Sequence, residues 1–175
     1  MLHLIDPLDL PQRETPQLLD LAARICPPPP PYQGVPSQKK LAFFFYPPPP
    51  PPRLSFEAAM LNLGGHVLGF PSENVSSATK GESVADTIRV VSCYADIVAM
   101  RHPKEGAPLR ASRYSRIPVI NAGDGGHQHP TQTLTNPMTA LHNRKLLSDT
   151  DLPVMAIIKC KFHYCQSRNI EFVNL

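Results

Sequence analysis

The sequence has no long apolar run. No stretch approaches the roughly 20 apolar residues that a membrane-spanning helix needs, so a membrane protein is not expected. Runs of one charge are missing too. No Lys/Arg run is longer than Lys39–Lys40, and the formal net charge is only +3. That is a weak footprint for nucleic acid and suits a small anionic substrate better. Cysteine is scarce: Cys26, Cys93, Cys160 and Cys165. With no secretion signal visible they read as free thiols. A metal site at Cys160, His163 and Cys165 lacks a fourth ligand nearby, so no metal is expected. The opening "MLHLIDPLDL" has acidic residues by position 6, which predicts a cytoplasmic protein. No repeat of 20–50 residues is visible.

Proline is in excess, at 22 residues. Half of these prolines fall in two blocks, Pro27–Pro31 and Pro47–Pro52. Elsewhere the chain looks globular, with 42% hydrophobic and 18% charged residues. A length of 175 residues allows one domain with a core, or one domain and a fragment.

Apolar side chains then repeat with two alternating periods. "PQLLDLAARI" (16–25) has helical spacing at Leu18, Leu19, Leu21, Ala22 and Ile25, and the first proline block ends it. "KKLAFFFY" (39–46) reads as a buried strand. "RLSFEAAMLNLGG" (53–65) reads as a helix closed by Gly64–Gly65, and "HVLGF" (66–70) as a second strand. "PSENVSSATKG" (71–81) is a polar loop long enough to suggest function. "ESVADTIRVVSCY" (82–94) is helical, "ADIVAM" (95–100) a third strand and "IPVIN" (117–121) a fourth. "TQTLTNPMTALHNRKLL" (131–147) is helical until Pro137 kinks or ends it, and "LPVMAII" (152–158) is a fifth strand. Strands alternating with helices predict an α/β fold, a parallel sheet with helices on both faces.

In such sheets ligands bind beyond the carboxyl ends of the strands. The residues there are Arg53, Ser76, Lys80, Arg101–His102 and the stretch Asp124 to Gln132. Arg53, Lys80, Arg101 and His129 are cationic or potentially so. Ser76, Gln132 and the glycines of "AGDGG" add neutral hydrogen bonding. No nucleophile–base pair stands out. The set suits holding an anion and stabilising developing charge. Each residue also has an ordinary reading: Arg101 as a surface charge, His129 as a loop histidine, Lys80 as a solvated lysine, the glycines as a turn.

Three strings, "RLSFEAAMLNLGG", "TKGESVADTIRVVSCYADIVAMRHPKEGA" and "IPVINAGDGGHQHPTQTL", resemble the catalytic chain of aspartate carbamoyltransferase. The resemblance runs from about residue 38 to 135 and weakens toward residue 1. "HPTQ" alone would also suit ornithine carbamoyltransferase; "KGES", "MRHP" and "NAGDG" point to the aspartate enzyme. The resemblance implies a carbamoyl-phosphate-binding domain over residues 1–145 and the start of a second, aspartate-binding α/β domain over 146–175. It implies carbamoyl transfer from carbamoyl phosphate to L-aspartate, giving N-carbamoyl-L-aspartate and phosphate in pyrimidine biosynthesis, with no cofactor. Arg101 and His129 match the catalytic arginine and histidine. Arg53, Arg101, His129 and Gln132 match carbamoyl-phosphate contacts. Ser76 and Lys80 match a loop that completes a neighbouring subunit's site, which implies a homotrimer and admits a regulatory chain.

The sequence departs from that family in two places. The family's phosphate turn reads Pro-Ser-Thr-Arg-Thr-Arg-Leu-Ser-Phe-Glu. Arg53 matches its second arginine, but Pro49–Pro52 stand where Ser-Thr-Arg-Thr belongs. Proline has no N–H to donate, and only the last one fits comfortably at a helix N1 position. Past residue 150 the functional side chains are also replaced: Ile158–Lys159 stand for Gly-Asp, and Tyr164 for the aspartate-binding arginine. This chain alone is therefore expected to be inactive. Two alternatives stay open: a non-catalytic degenerate fragment, or an SH3-type ligand through the P-x-x-P-x-R spacing of Pro48, Pro51 and Arg53.

Overall fold

The computed structural model describes residues 3–11, 13–25, 34–45, 51–69 and 83–134. Four strands form one sheet: β1 (Lys40–Phe45), β2 (His66–Gly69), β3 (Ile97–His102) and β4 (Val119–Asp124). Their order is β2-β1-β3-β4, and every pairing is parallel. The N-terminal segment adds a parallel bridge, Leu4 to Ile120, along the outer edge of β4.

Strand periodicity sends alternate side chains to opposite faces. Leu41, Phe43, Ile97, Ala99, Ile120 and Ala122 face a core shared with helix α1 (Thr15–Ile25) and helix α2 (Pro51–Asn62). Leu18, Ala22 and Ile25 of α1 and Phe56, Ala59 and Met60 of α2 fill it, with Phe43 and Phe56 edge to face at 6.5 Å between centroids. Ala42, Phe44, Val98, Met100 and Val119 face the other way, against helix α3 (Val84–Val91) and helix α4 (Ala107–Tyr114). The expected layering, a parallel sheet with helices on both faces, is what forms.

Several boundaries differ from the sequence reading. β3 runs on through Arg101 and His102, and β4 on through Asp124. Pairing between the two continues, with His102 opposite Asp124 after an irregularity near Met100. "RH" and "AGD" are therefore strand ends rather than loop. α2 begins at Pro51, two residues earlier than expected, and holds two prolines in its first turn. The first four N–H groups of a helix have no intrahelical acceptor, so two prolines there break no bond. α4 was not anticipated. Its start is marked by Gly106 at the N-cap with φ +73°, by a proline in the first turn, and by buried Ala107 and Ala111. The fifth strand (152–158) and most of the helix from 131 lie outside the described residues.

Asp96 fastens the amino end of the sheet. It accepts from the Lys40 amide at 2.8 Å and pairs with Lys39 at 3.1 Å. Among the described residues no helix is long and apolar enough to cross a membrane. Cys93 is an exposed free thiol; Cys26, Cys160 and Cys165 lie outside the described residues.

Candidate active site

The carboxyl edge of β3 and β4 gathers the polar groups. Arg101 lies near the end of β3, in register with Phe45 of β1, and is half-buried. His129 follows β4 through a short turn and stands at the start of a helical turn spanning 130–134. Pro130 takes the first helical position, where a missing N–H costs nothing. His129 caps this helix. Its carbonyl accepts from the Thr133 amide at 3.0 Å, and its ring Nδ1 accepts from the Gln132 amide at 3.3 Å. An amide can only donate, so Nδ1 carries no proton. The neutral ring then holds its proton on Nε2. The buried Thr131 hydroxyl also reaches Nδ1, at 3.1 Å.

Gly123 makes room for this ring. Its φ is +117°, a region that favours glycine. A Cβ there would lie 3.2 Å from Cδ2 of His129. Burial pushes the imidazole's pKa down, and the charge of Arg101 pushes it further; the His129 backbone and Asp124 oppose this without reversing it. His129 is therefore neutral at pH 7 and offers an Nε2–H donor beside an arginine. Gln132 sits in the first turn of the same helix, exposed, three residues on from His129.

Beneath these groups lies a buried polar knot. Asn121 is fully buried; its amide nitrogen donates to the Ile5 carbonyl at 3.0 Å and to Asp124 at 3.2 Å, and its oxygen accepts from the Gly123 amide at 2.8 Å. Asp124 is 2% exposed and accepts from the amides of Gly106 and Gln128, each at 2.9 Å. Burial pushes its pKa up, but these donors and His127 outweigh that and hold it below the usual carboxylate value. By sequence Asp124 reads as part of a loop, and Asn121 and Thr131 carry no assigned role. The signal was present, since polar residues ending an apolar strand need partners.

Arg53 does not join this group. Its Nε bonds to Glu57 at 2.7 Å, one helical turn on. A Cβ built on Gly69, at the end of β2, would lie 3.1 Å from its Nη2. The guanidinium is thus turned toward β2, and β1 lies between β2 and β3, which carries Arg101. Ser76 and Lys80 lie outside the described residues, as do Pro49 and Pro50. Among the described residues no group of three or more His, Cys, Asp or Glu side chains could hold a metal ion.

Residues 2–142 match the family model described as the aspartate/ornithine carbamoyltransferase carbamoyl-P binding domain. The aspartate carbamoyltransferase catalytic subunit of Lachnoclostridium phytofermentans is 66% identical over 139 residues, 79% of this chain and 45% of that protein. That of Clostridium acetobutylicum is 56% identical over 156 residues, 89% of this chain and 51% of that protein. Among solved structures, the catalytic subunit of M. jannaschii aspartate transcarbamoylase superposes with a TM-score of 0.74 at 46% identity, over 82% of this chain and 48% of that one. Aspartate transcarbamoylase from Trypanosoma cruzi, in complex with carbamoyl aspartate and phosphate, gives a TM-score of 0.73 at 31% identity, over 81% of this chain and 46% of that one. The chain spans about half the length of the curated relatives it matches. A matching domain model, high identity and a shared fold agree: the chain belongs to the aspartate/ornithine carbamoyltransferase family, through its carbamoyl-phosphate-binding domain.

Proposed function

We propose that this chain is the carbamoyl-phosphate half of an aspartate carbamoyltransferase whose phosphate turn is disabled. One observation carries the reading: a neutral His129 whose Nδ1 is occupied by its own helix N-terminus, leaving an Nε2–H donor beside Arg101. A carbonyl oxygen that gains negative charge during attack matches that pair. In the transfer, the α-amino group of aspartate attacks the carbonyl carbon of carbamoyl phosphate. The C–N bond forms, the bond to the bridging phosphate oxygen breaks, and the amine's proton passes to the departing phosphate. His129 donates to the carbonyl oxygen, Arg101 spreads charge over oxygen and phosphate, and Gln132 holds the carbamoyl amide. Arg53 acts from the rim, since Glu57 already holds it. Ser76 and Lys80 would complete the site of a neighbouring copy in a homotrimer, in the cytoplasm. Aspartate binding falls to the second α/β domain that starts at residue 146.

Pro51 and Pro52 form the first turn of α2 without a single N–H between them. A helix N-terminus binds phosphate through those groups. The same helix counts against the SH3-ligand alternative, because Pro51 and Arg53 are helical there rather than polyproline II.

The test is a pair of chains, one as it stands and one with Pro49–Pro52 replaced by Ser-Thr-Arg-Thr. Neither forms carbamoyl aspartate. Millimolar carbamoyl phosphate raises the melting temperature of the restored chain only. Ligand at a hundred times its Kd adds about 2.7 kcal/mol, and each kcal/mol shifts a domain of this size by roughly 2–4 °C. No shift in the restored chain overturns the reading.

A further inference from the structure

Among the described residues Asp124 pairs with no arginine or lysine, only with the exposed His127 at 3.5 Å, yet it is almost fully buried and ionised. A carboxylate in that position must be held by hydrogen bonds. Those bonds come from two separate loops. Gly106 belongs to the loop that leaves Arg101 and starts α4; Gln128 belongs to the loop that delivers His129. The two loops are joined at other points as well. The Gly125 amide donates to the His102 carbonyl at 2.9 Å, and His102 is in register with Asp124. Gly125 has φ +59°, and a Cβ on it would lie 2.8 Å from the Pro103 carbonyl oxygen. The loops touch with no room to spare, and the carboxylate is bonded to both.

We propose that Asp124 is a positioning residue: its carboxylate clamps the loop leaving Arg101 to the loop carrying His129 and so fixes their separation. This rests on reading Arg101 and His129 as the carbamoyl-binding pair. The clamp depends on charge as well as shape. Gly106 N–H, Gln128 N–H and the Asn121 amide nitrogen are all donors. Asn121 cannot turn over to help, because its oxygen accepts from Gly123 and its nitrogen donates to Ile5. An asparagine at 124 would set its own NH2 against at least one of these donors.

The experiment compares ring titration of His129 by nitrogen-15 NMR in the full 175-residue chain and in its Asp124→Asn variant. The two roles give opposite signs. If the carboxylate merely sits nearby, its removal takes a negative charge from a ring still buried beside Arg101, and the His129 midpoint falls. If it clamps, the loops part and the ring loses both burial and the nearby arginine charge. The midpoint then rises toward the ordinary histidine value. A rise is expected, with core amide resonances of β1 and β3 unmoved; a fall or no change overturns the proposal. Should the variant fail to fold, the unmodified chain decides. The amide protons of Gly106 and Gln128 then follow one common acid midpoint, below the ordinary aspartate value. Separate midpoints, or no response, overturn the clamp. Neither measurement contains carbamoyl phosphate, so failure of ligand to bind the restored chain would leave both outcomes standing.

Discussion

The carboxyl edge of the sheet has two halves, built in opposite ways. At β3 and β4, polar side chains are buried and interlocked: Asn121 with Ile5 and Gly123, Asp124 with Gly106 and Gln128, His129 with its own helix. At β1 and β2 the helix that faces the site opens on prolines, and Arg53 is bonded to Glu57 on the outside. On the proposed function, the first half keeps the donors for the carbamoyl carbonyl. The second gives up the donors that a phosphate would use. Binding one small anion needs both halves, whereas folding needs only the hydrophobic faces of the sheet. On the proposed function, the domain keeps its architecture and half of its site while losing its ligand.

Truncation on the interlocked side gives the largest effect. Asp124→Ala leaves the Gly106 amide, the Gln128 amide and one bond of Asn121 without an acceptor in a dry place. Each orphaned donor costs about 1–3 kcal/mol. A loss of roughly 3–5 kcal/mol is expected, a fall of about 6–20 °C in melting temperature. Differential scanning fluorimetry reads it directly. A fall under about 3 °C would mean that water reaches the knot and that the two halves are more alike than they look.

The same contrast governs how much the sequence could show. The helices at 16–25 and 53–65 and four of the strands were legible because apolar spacing reports burial, and burial is what forms them. Four parallel strands with helices on both faces followed from their alternation. The site was legible only as residue types beyond strand ends. Arg101 and His129 are brought together by a turn and a helix cap, which leave no periodic trace. α4 escaped because Arg110 and Arg113 hide the short apolar spacing of Ala107 and Ala111. Arg53 is a different case. A residue in a motif register says nothing of which neighbour its side chain will choose, and Glu57 is one turn away.

A smaller effect should follow pH. The imidazole of His129 is held below its ordinary value by burial and Arg101. Between about pH 6.5, where an unfolded histidine titrates, and its lower folded midpoint, the unfolded chain binds more protons. Stability therefore falls as pH falls through that window. His129→Asn removes this slope while keeping a side chain that caps helices well. Urea melts at pH 7 and at pH 5.5 should differ less for the variant than for the unmodified chain. An equal pH dependence would place the ring in open solvent and remove the main asymmetry between the two halves.

The smallest effect belongs to the proline side. Arg53 and Glu57 are an i,i+4 pair, with side chains 45% and 23% exposed. Such pairs contribute about 0.3–0.5 kcal/mol, and less in high salt. Arg53→Gln should thus lower the melting temperature by no more than about 2 °C. The same substitution in the chain restored with Ser-Thr-Arg-Thr sharpens the comparison. A guanidinium held by Glu57 and turned toward Gly69 makes no direct bond to phosphate, so carbamoyl phosphate affinity should drop less than about threefold. A charge-assisted bond to the ligand is worth roughly 1.5–3 kcal/mol, so its loss would weaken binding by tenfold or more. Isothermal titration separates the two. A tenfold loss would show that Arg53 leaves Glu57 when phosphate arrives, and that the proline side still holds one working contact.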